Sequence, residues 1–177
     1  MIRITGGKNR SRKLETPDTL LTKPTMDKVR EAVFSALGDA VINAKVLDLF
    51  SGSGSYGFEA LSRNASHVTF VDKLPLAIKT IKANASLLKE ENVDIIQSDV
   101  LDYLNTVDNS FDIVFADPPY KLDIYEQVLE TLESRHLIKE GSIIVLESEK
   151  PLNIKEDNYK KVKQYSYGLA KIYMLRK

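Results

Sequence analysis

From residue 45 onward, the apolar positions fall into short runs separated by stretches of helical period. Lys45–Phe50, His67–Asp72, Val93–Gln97, Asp112–Asp117 and Ser142–Glu147 read as strands. Four of these are continuous apolar runs rather than alternations, as expected for strands covered on both faces. Between them, Ser55–Asn64, Pro75–Lys89, a short segment after Asp99, and Leu122–Arg135 read as helices. This alternation predicts a doubly wound α/β sheet. The end of the chain breaks the pattern. Tyr159–Tyr165 and Ala170–Arg176 are separated only by Ser166-Tyr167-Gly168-Leu169, too short for a crossover helix. They predict an antiparallel hairpin closing one edge of the sheet.

Ahead of the alternating region, Ile2, Ile4 and Leu14 flank Gly6-Gly7 and predict a short β-hairpin. The basic run Lys8-Asn9-Arg10-Ser11-Arg12-Lys13 lies at its bend. Residues 17–24 form a proline-punctuated connector. Thr25 is placed to cap a helix whose Val29, Ala32, Val33, Ala36 and Leu37 share one face and which Gly38 ends. The domain division follows: residues 1–24 as a basic hairpin with its connector, and 25–177 as the α/β domain. No internal repeat or low-complexity tract interrupts it.

Composition narrows the class. The chain has 177 residues, 43% hydrophobic and 28% charged, which suits one domain with a proper core. With no cysteine, it has neither disulfides nor thiolate metal sites, in keeping with a reducing cytoplasm. No apolar run approaches the roughly 20 residues of a spanning helix, and Met1–Thr5 lacks the apolar stretch of a secretory signal. The expectation is a cytoplasmic protein with no membrane partner. Net charge is zero but segregated. Residues 1–30 carry eight Lys/Arg against three acids, residues 155–177 seven against two, and the middle ten against twenty. Basic ends around an acidic body suit a localised polyanion footprint.

Candidate chemistry begins at Asp48-Leu49-Phe50-Ser51-Gly52-Ser53-Gly54, which follows the first parallel strand and opens a helix. Glycines there let backbone approach a ligand, and the helix start presents unpaired N–H groups. Gly52-x-Gly54-x-x-Gly57, with Asp72 lying 20 residues past Gly52, also fits a dinucleotide fingerprint. Two acids favour a different ligand. Asp48 would repel a pyrophosphate but suits a cationic amino-acid moiety. Asp99, in Gln97-Ser98-Asp99-Val100, can accept from an adenine amine or simply cap a helix. Carboxylates ending three successive strands suit a ligand that carries ammonium, ribose hydroxyls and adenine.

The fourth strand ends in Asp117-Pro118-Pro119-Tyr120. Ligand sites of open α/β sheets lie at the strands' carboxyl ends. Two prolines stiffen the backbone and remove two donors, leaving the Pro118 carbonyl as an acceptor beside Asp117. Tyr120 offers a face on which a base can stack. An exocyclic base amine is a poor nucleophile because its lone pair is delocalised. Two acceptors on its N–H groups favour a pyramidal nitrogen aimed at a methyl donor, with positioning and electrostatics supplying the catalysis.

With these motifs in place, the chain resembles the RsmD family of bacterial rRNA methyltransferases. The resemblance runs through Gly6-Gly7-Lys8, Arg12-Lys13-Leu14, Lys23–Phe34, Asp48–Gly54, Glu59-Ala60-Leu61, Asp117–Tyr120 and Tyr167-Gly168. It implies a Rossmann-like class I fold, a seven-stranded mostly parallel sheet with an antiparallel last strand. It further implies methyl transfer from S-adenosylmethionine to guanine N2 in 16S rRNA of the small ribosomal subunit or its assembly intermediate. No metal is implied, and the expectation is a monomer. By the family's pattern, S-adenosylmethionine meets Thr25, Asp48, Phe50, Ser51, Gly52, Gly54, Asp72, Lys73, Asp99 and Val100. Asp117, Pro118, Pro119 and Tyr120 carry the chemistry, and Arg3, Lys8, Arg10, Arg12 and Lys13 meet RNA. Lys23 stands where the family usually has Arg. Ser51, Ser55 and Tyr56 replace small apolar residues and a leucine, and Asp72 replaces a frequent Glu. The rivals are a DNA adenine-N6 methyltransferase, a nicotinamide-dependent oxidoreductase and an RNA-binding module without activity.

Overall fold

A computed structural model describes residues 2–17, 24–119 and 121–177, with side chains of the first long helix described from Asp27 onward. The chain opens with β1 (Ile2–Arg3) and β2 (Lys13–Leu14), antiparallel with Ile2 opposite Leu14. Helix α1 (Pro24–Leu37) follows. Then come β3 (Lys45–Leu49), α2 (Ser55–Ser62), β4 (His67–Asp72), α3 (Pro75–Leu88), β5 (Val93–Gln97) and α4 (Val100–Thr106). The remainder is β6 (Phe111–Ala116), α5 (Tyr125–Ser134), β7 (Ile138–Ser148), β8 (Lys161–Tyr167) and β9 (Ala170–Arg176).

The main sheet has seven strands in the order β5-β4-β3-β6-β7-β9-β8. Strands β3 to β7 pair in parallel, whereas β9 is antiparallel to both β7 and β8. Strand order reverses between β3 and β6, which opens a crevice at their carboxyl ends. Alternate residues feed two cores. Val46, Phe70, Ile113, Phe115 and Val145 pack with α1, α2, α3 and the N-terminal hairpin. Leu47, Leu49, Val114, Ile144 and Leu146 pack with α4 and α5. These continuous apolar runs are the mark of a sheet covered on both faces.

The N-terminal hairpin is tied into the first face. The Glu59 carboxylate, fully buried in α2, accepts from Thr5 N–H at 2.8 Å, Gly6 N–H at 2.9 Å and Arg30 Nε at 3.1 Å. Arg63 Nε donates to it at 2.9 Å. Arg30, 2% exposed, also donates to the Arg3 carbonyl and to Asp27. At the bend, Lys8 N–H donates to the Ser62 carbonyl at 2.8 Å and Asn9 N–H to Ser62 Oγ at 2.9 Å.

Several predicted boundaries move. Helix α1 already includes Pro24 and Thr25, so Thr25 lies inside its first turn rather than capping it; proline fits there because the first helical N–H groups lack intrahelical partners. The connector's residues 18–23 lie outside the described residues. Helix α5 starts at Tyr125 rather than Leu122, because Leu122 N–H turns back to the Pro119 carbonyl at 2.8 Å. Strand β7 begins at Ile138, which pairs with Phe111 across a register irregularity. Strand β8 starts two residues late, because Tyr159 N–H closes a 3-10 turn on Glu156. No helix among the described residues is long and apolar enough to cross a membrane.

Candidate active site at the carboxyl ends of β3, β6 and β7

The glycine-rich turn leaves β3 through Phe50, a non-glycine residue at φ 57, a sparsely populated conformation that the surrounding bonds must hold. They do so through Ser51. Its Oγ lies 2.6 Å from the Asp48 carbonyl and accepts from Val71 N–H at 2.9 Å, stitching the ends of β3 and β4 together. Gly52 N–H donates to Asp72 Oδ2 at 2.9 Å. Gly54 then takes φ 76 as it opens α2, and a Cβ there would stand 2.7 Å from the Phe58 ring. Only glycine satisfies both demands.

Asp48 is 3% exposed, and its Oδ2 accepts from Gly57 N–H at 3.0 Å. Burial pushes its carboxyl up to about 8; the Gly57 bond opposes the rise and the Asp72 charge adds to it. Asp72 is buried as well, with Oδ1 accepting from Leu74 N–H at 2.9 Å. Its two oxygens therefore brace the turn after β3 and the start of α3. Lys73 beside it is exposed. Asp99, exposed at the end of β5, caps α4 by accepting from Leu101 N–H at 3.0 Å, while Val100 is buried.

Across the strand reversal, Asp117 follows the end of β6. Burial raises its carboxyl well above the usual carboxylate range, and the charges of Glu147, Asp48 and Glu149 raise it further. Pro118 is buried and Pro119 exposed. The Pro119 carbonyl is used in the Leu122 turn, whereas the Pro118 carbonyl has no hydrogen bond among the described residues. Tyr120 lies outside the described residues, as does the side chain of Thr25.

Glu147, at the end of β7, is a site residue that motif reading missed. It is 9% exposed and its Oε2 accepts from Tyr56 Oη at 2.8 Å. Burial raises its pKa, against the lowering effects of the Tyr56 bond and the Arg30 charge. The Tyr56 ring stacks on Phe115 with centroids 4.8 Å apart. Tyr56 thus anchors the crevice wall and supplies a donor. The signal for Glu147 was in the sequence. It is one more carboxylate ending a parallel strand, the rule that singled out Asp48 and Asp72.

The structure gathers Asp48, Ser51, Gly52, Gly54, Asp72 and Asp117 around the β3/β6 reversal. Of the expected RNA contacts, Arg3, Arg10 and Lys13 are exposed. Lys8 pairs with Glu90 at 2.9 Å, and Arg12 donates to the Leu87 carbonyl at 2.8 Å. The bend packs on the last turn of α2, whereas the glycine-rich turn opens its first. An eight-residue helix, about 12 Å long, separates them.

The sequence profile of the conserved hypothetical protein 95 family matches residues 2–176. Ribosomal RNA small subunit methyltransferase D of Escherichia coli K12 is 36% identical over 84% of this chain and 75% of its own. Its Haemophilus influenzae counterpart is 36% identical over 96% and 90%. The solved structure of the Escherichia coli protein yhhF superposes with TM-score 0.88 at 31% identity, over 99% of this chain and 97% of that one. At the level of fold alone, a Thermus thermophilus 16S rRNA N2 G1207 methyltransferase (RsmC), solved with AdoMet and guanosine, gives TM-score 0.72 at 20% identity over 90% of this chain and 44% of its own. The chain belongs to the conserved hypothetical protein 95 family, the family of the small-subunit methyltransferases D.

Proposed function

We propose that this chain transfers a methyl group from S-adenosylmethionine to the exocyclic N2 of a guanine in 16S rRNA within the small ribosomal subunit or an assembly intermediate. The observation that carries this reading is the crevice itself: Asp117 after β6 and the glycine-rich turn after β3 flank the strand reversal, and the Pro118 carbonyl has no hydrogen bond among the described residues.

The residues fit the cofactor. The glycine-rich turn runs without side chains at Gly52 and Gly54, Asp72 stands at the end of β4 for a ribose, and Asp99, just past β5, for an adenine amine. Asp48 and Glu147 give the crevice the charge of a cation site, which lowers the cost of ionising them. A pyrophosphate would meet only repulsion there, which disfavours the nicotinamide reading. When bound, S-adenosylmethionine supplies an electrophilic methyl on a sulfonium. The chain's own groups do the rest. Asp117 and the Pro118 carbonyl accept from the two N–H groups of guanine N2, and the amine's lone pair turns toward the methyl. As the N–C bond forms, the nitrogen gains positive charge and sheds a proton, and Asp117, with its raised pKa, is placed to receive it. Tyr120 supplies the stacking face for the unstacked base. Exposed Arg3, Arg10 and Lys13, with Lys8 and Arg12, add phosphate contacts.

Asp117→Ala separates binding from chemistry. The variant is expected to bind S-adenosylmethionine as the unsubstituted chain does, by calorimetry, and to lose at least a hundredfold in turnover, the usual scale for a lost acceptor or proton-transfer group. Unchanged turnover would remove Asp117 from the mechanism.

A further inference from the structure

We propose that one face of β8 is a track for single-stranded RNA, holding nucleotides that flank the methylated base. The proposal rests on RNA being the substrate, as argued above. Lys161, Lys163, Tyr165 and Tyr167 alternate along β8, so the period of two sets all four on one face. Their cross-strand partners include Met174 and Ile172, which belong to the core beneath α1 and α2. Phe115 faces the same core, and Asp117 stands two residues beyond it. The register runs from Tyr165 to Ile172 to Glu147, and Leu146 pairs with Ala116. Tyr165 therefore stands three strand spacings from Asp117, about 14 Å, within reach of a few nucleotides.

The chemistry of the stripe is that of a single-strand binder. The Tyr165 and Tyr167 rings are half-buried and near-parallel, with centroids 6.5 Å apart and planes at 22°. Aromatic faces beside cations bind unpaired nucleotides, whose bases are free to stack; a duplex keeps its bases stacked within the helix. Lys161 and Lys163 are exposed, and neither has a carboxylate within salt-bridge distance among the described residues, whereas neighbouring Lys160 and Lys177 pair with Glu140 and Glu133. Lys161 also stands directly opposite Arg176. Like charges facing each other weaken a sheet, so these cations answer to something outside the fold. Lysines can merely guard an open sheet edge. That role does not explain the facing arginine, and the two tyrosines, packed by one side on the core, keep the rest of each ring open to solvent.

The test is fluorescence anisotropy of a labelled, short, mixed-sequence oligoribonucleotide titrated with the full chain at several salt concentrations. Lys161→Gln with Lys163→Gln is expected to weaken binding and to reduce the salt slope by about 1.4, from roughly 0.7 per lost phosphate contact. Tyr165→Leu with Tyr167→Leu is expected to weaken binding roughly tenfold at an unchanged salt slope, and Tyr165→Phe with Tyr167→Phe to retain it. S-adenosylmethionine affinity measured on each variant verifies the fold, and the lysine and phenylalanine variants keep the test alive if the leucine pair fails to fold. Binding of the lysine and leucine variants equal to that of the unsubstituted chain would overturn the proposal. So would a loss seen only on small-subunit particles and not on the oligoribonucleotide, which would assign the edge to a protein. Oligoribonucleotide binding that depends on these residues, in a chain that methylates no rRNA, would uphold the track and sink the functional reading instead.

Discussion

At the scale of single residues, Asp48 carries a consequence for stability. Its pKa is about 8 in the fold against an ordinary 3.8, so between those values the folded chain binds a proton that the unfolded chain releases. Stability from this group is fully present below about pH 4 and is lost as pH rises toward 8. Asp48→Asn, which can still accept from Gly57 N–H, is therefore expected to melt above the unsubstituted chain at pH 8. The advantage should fade toward pH 4, as followed by thermal unfolding across pH; a constant difference would contradict the buried-carboxyl account. Glu147 acts on Asp117 in a similar way. Its negative charge is the largest electrostatic contribution to the raised pKa of Asp117, so Glu147→Gln should move the acid limb of the kcat/KM profile to lower pH. An unmoved limb would separate the two groups. Asp48, Asp72 and Asp117 were legible because each ends an apolar run. The bracing of Asp72, one oxygen to Gly52 and one to Leu74, was not, since it depends on how two loops meet.

At the scale of elements, periodicity located β4 and β9 to the residue, because these interior strands are apolar on both sides, and it located β5 at the opposite edge by its Ile95-Ile96 run even though Asp94 and Gln97 are exposed. Strand β8 slipped by two residues for the opposite reason. It is an edge strand with polar residues on its faces, and pairing with β9 sets its register rather than its own pattern. Helix α2 shows how tightly the site's support is packed. Gly57 lies in its first turn, where alanine ordinarily gains up to about 1 kcal/mol. A Cβ there would stand 2.2 Å from the Phe70 ring, and overpacking of that kind costs about 1–3 kcal/mol. Gly57→Ala is therefore expected to lower stability by ~1 kcal/mol net in denaturant titration. A stabilised variant would mean that the α2–β4 contact is looser than described.

At the scale of the whole molecule, the basic N-terminal hairpin is part of the body. Ile2, Ile4 and Leu14 share the core of α1 and α2, and Glu59 joins the hairpin, α1 and α2 at one carboxylate. Composition and charge pointed to the hairpin's basic surface but not to this attachment, which uses a buried acid 54 residues away from Thr5. Glu59→Gln would leave buried Arg30 with Asp27 as its remaining carboxylate, a loss of about 3 kcal/mol, the low end for a broken buried pair, measurable by chemical denaturation. The same architecture sets the carboxylates of β3, β6 and β7 at one end of the sheet and leads the β8 stripe up to it. The central claim is methyl transfer to guanine N2 in rRNA, and tritium-labelled methyl transfer to undermethylated small subunits, with the product nucleoside identified, tests it most directly. The account predicts label in N2-methylguanosine from 16S rRNA, abolished by Asp117→Ala. Label in any other nucleoside, or none with the unsubstituted chain, would contradict it.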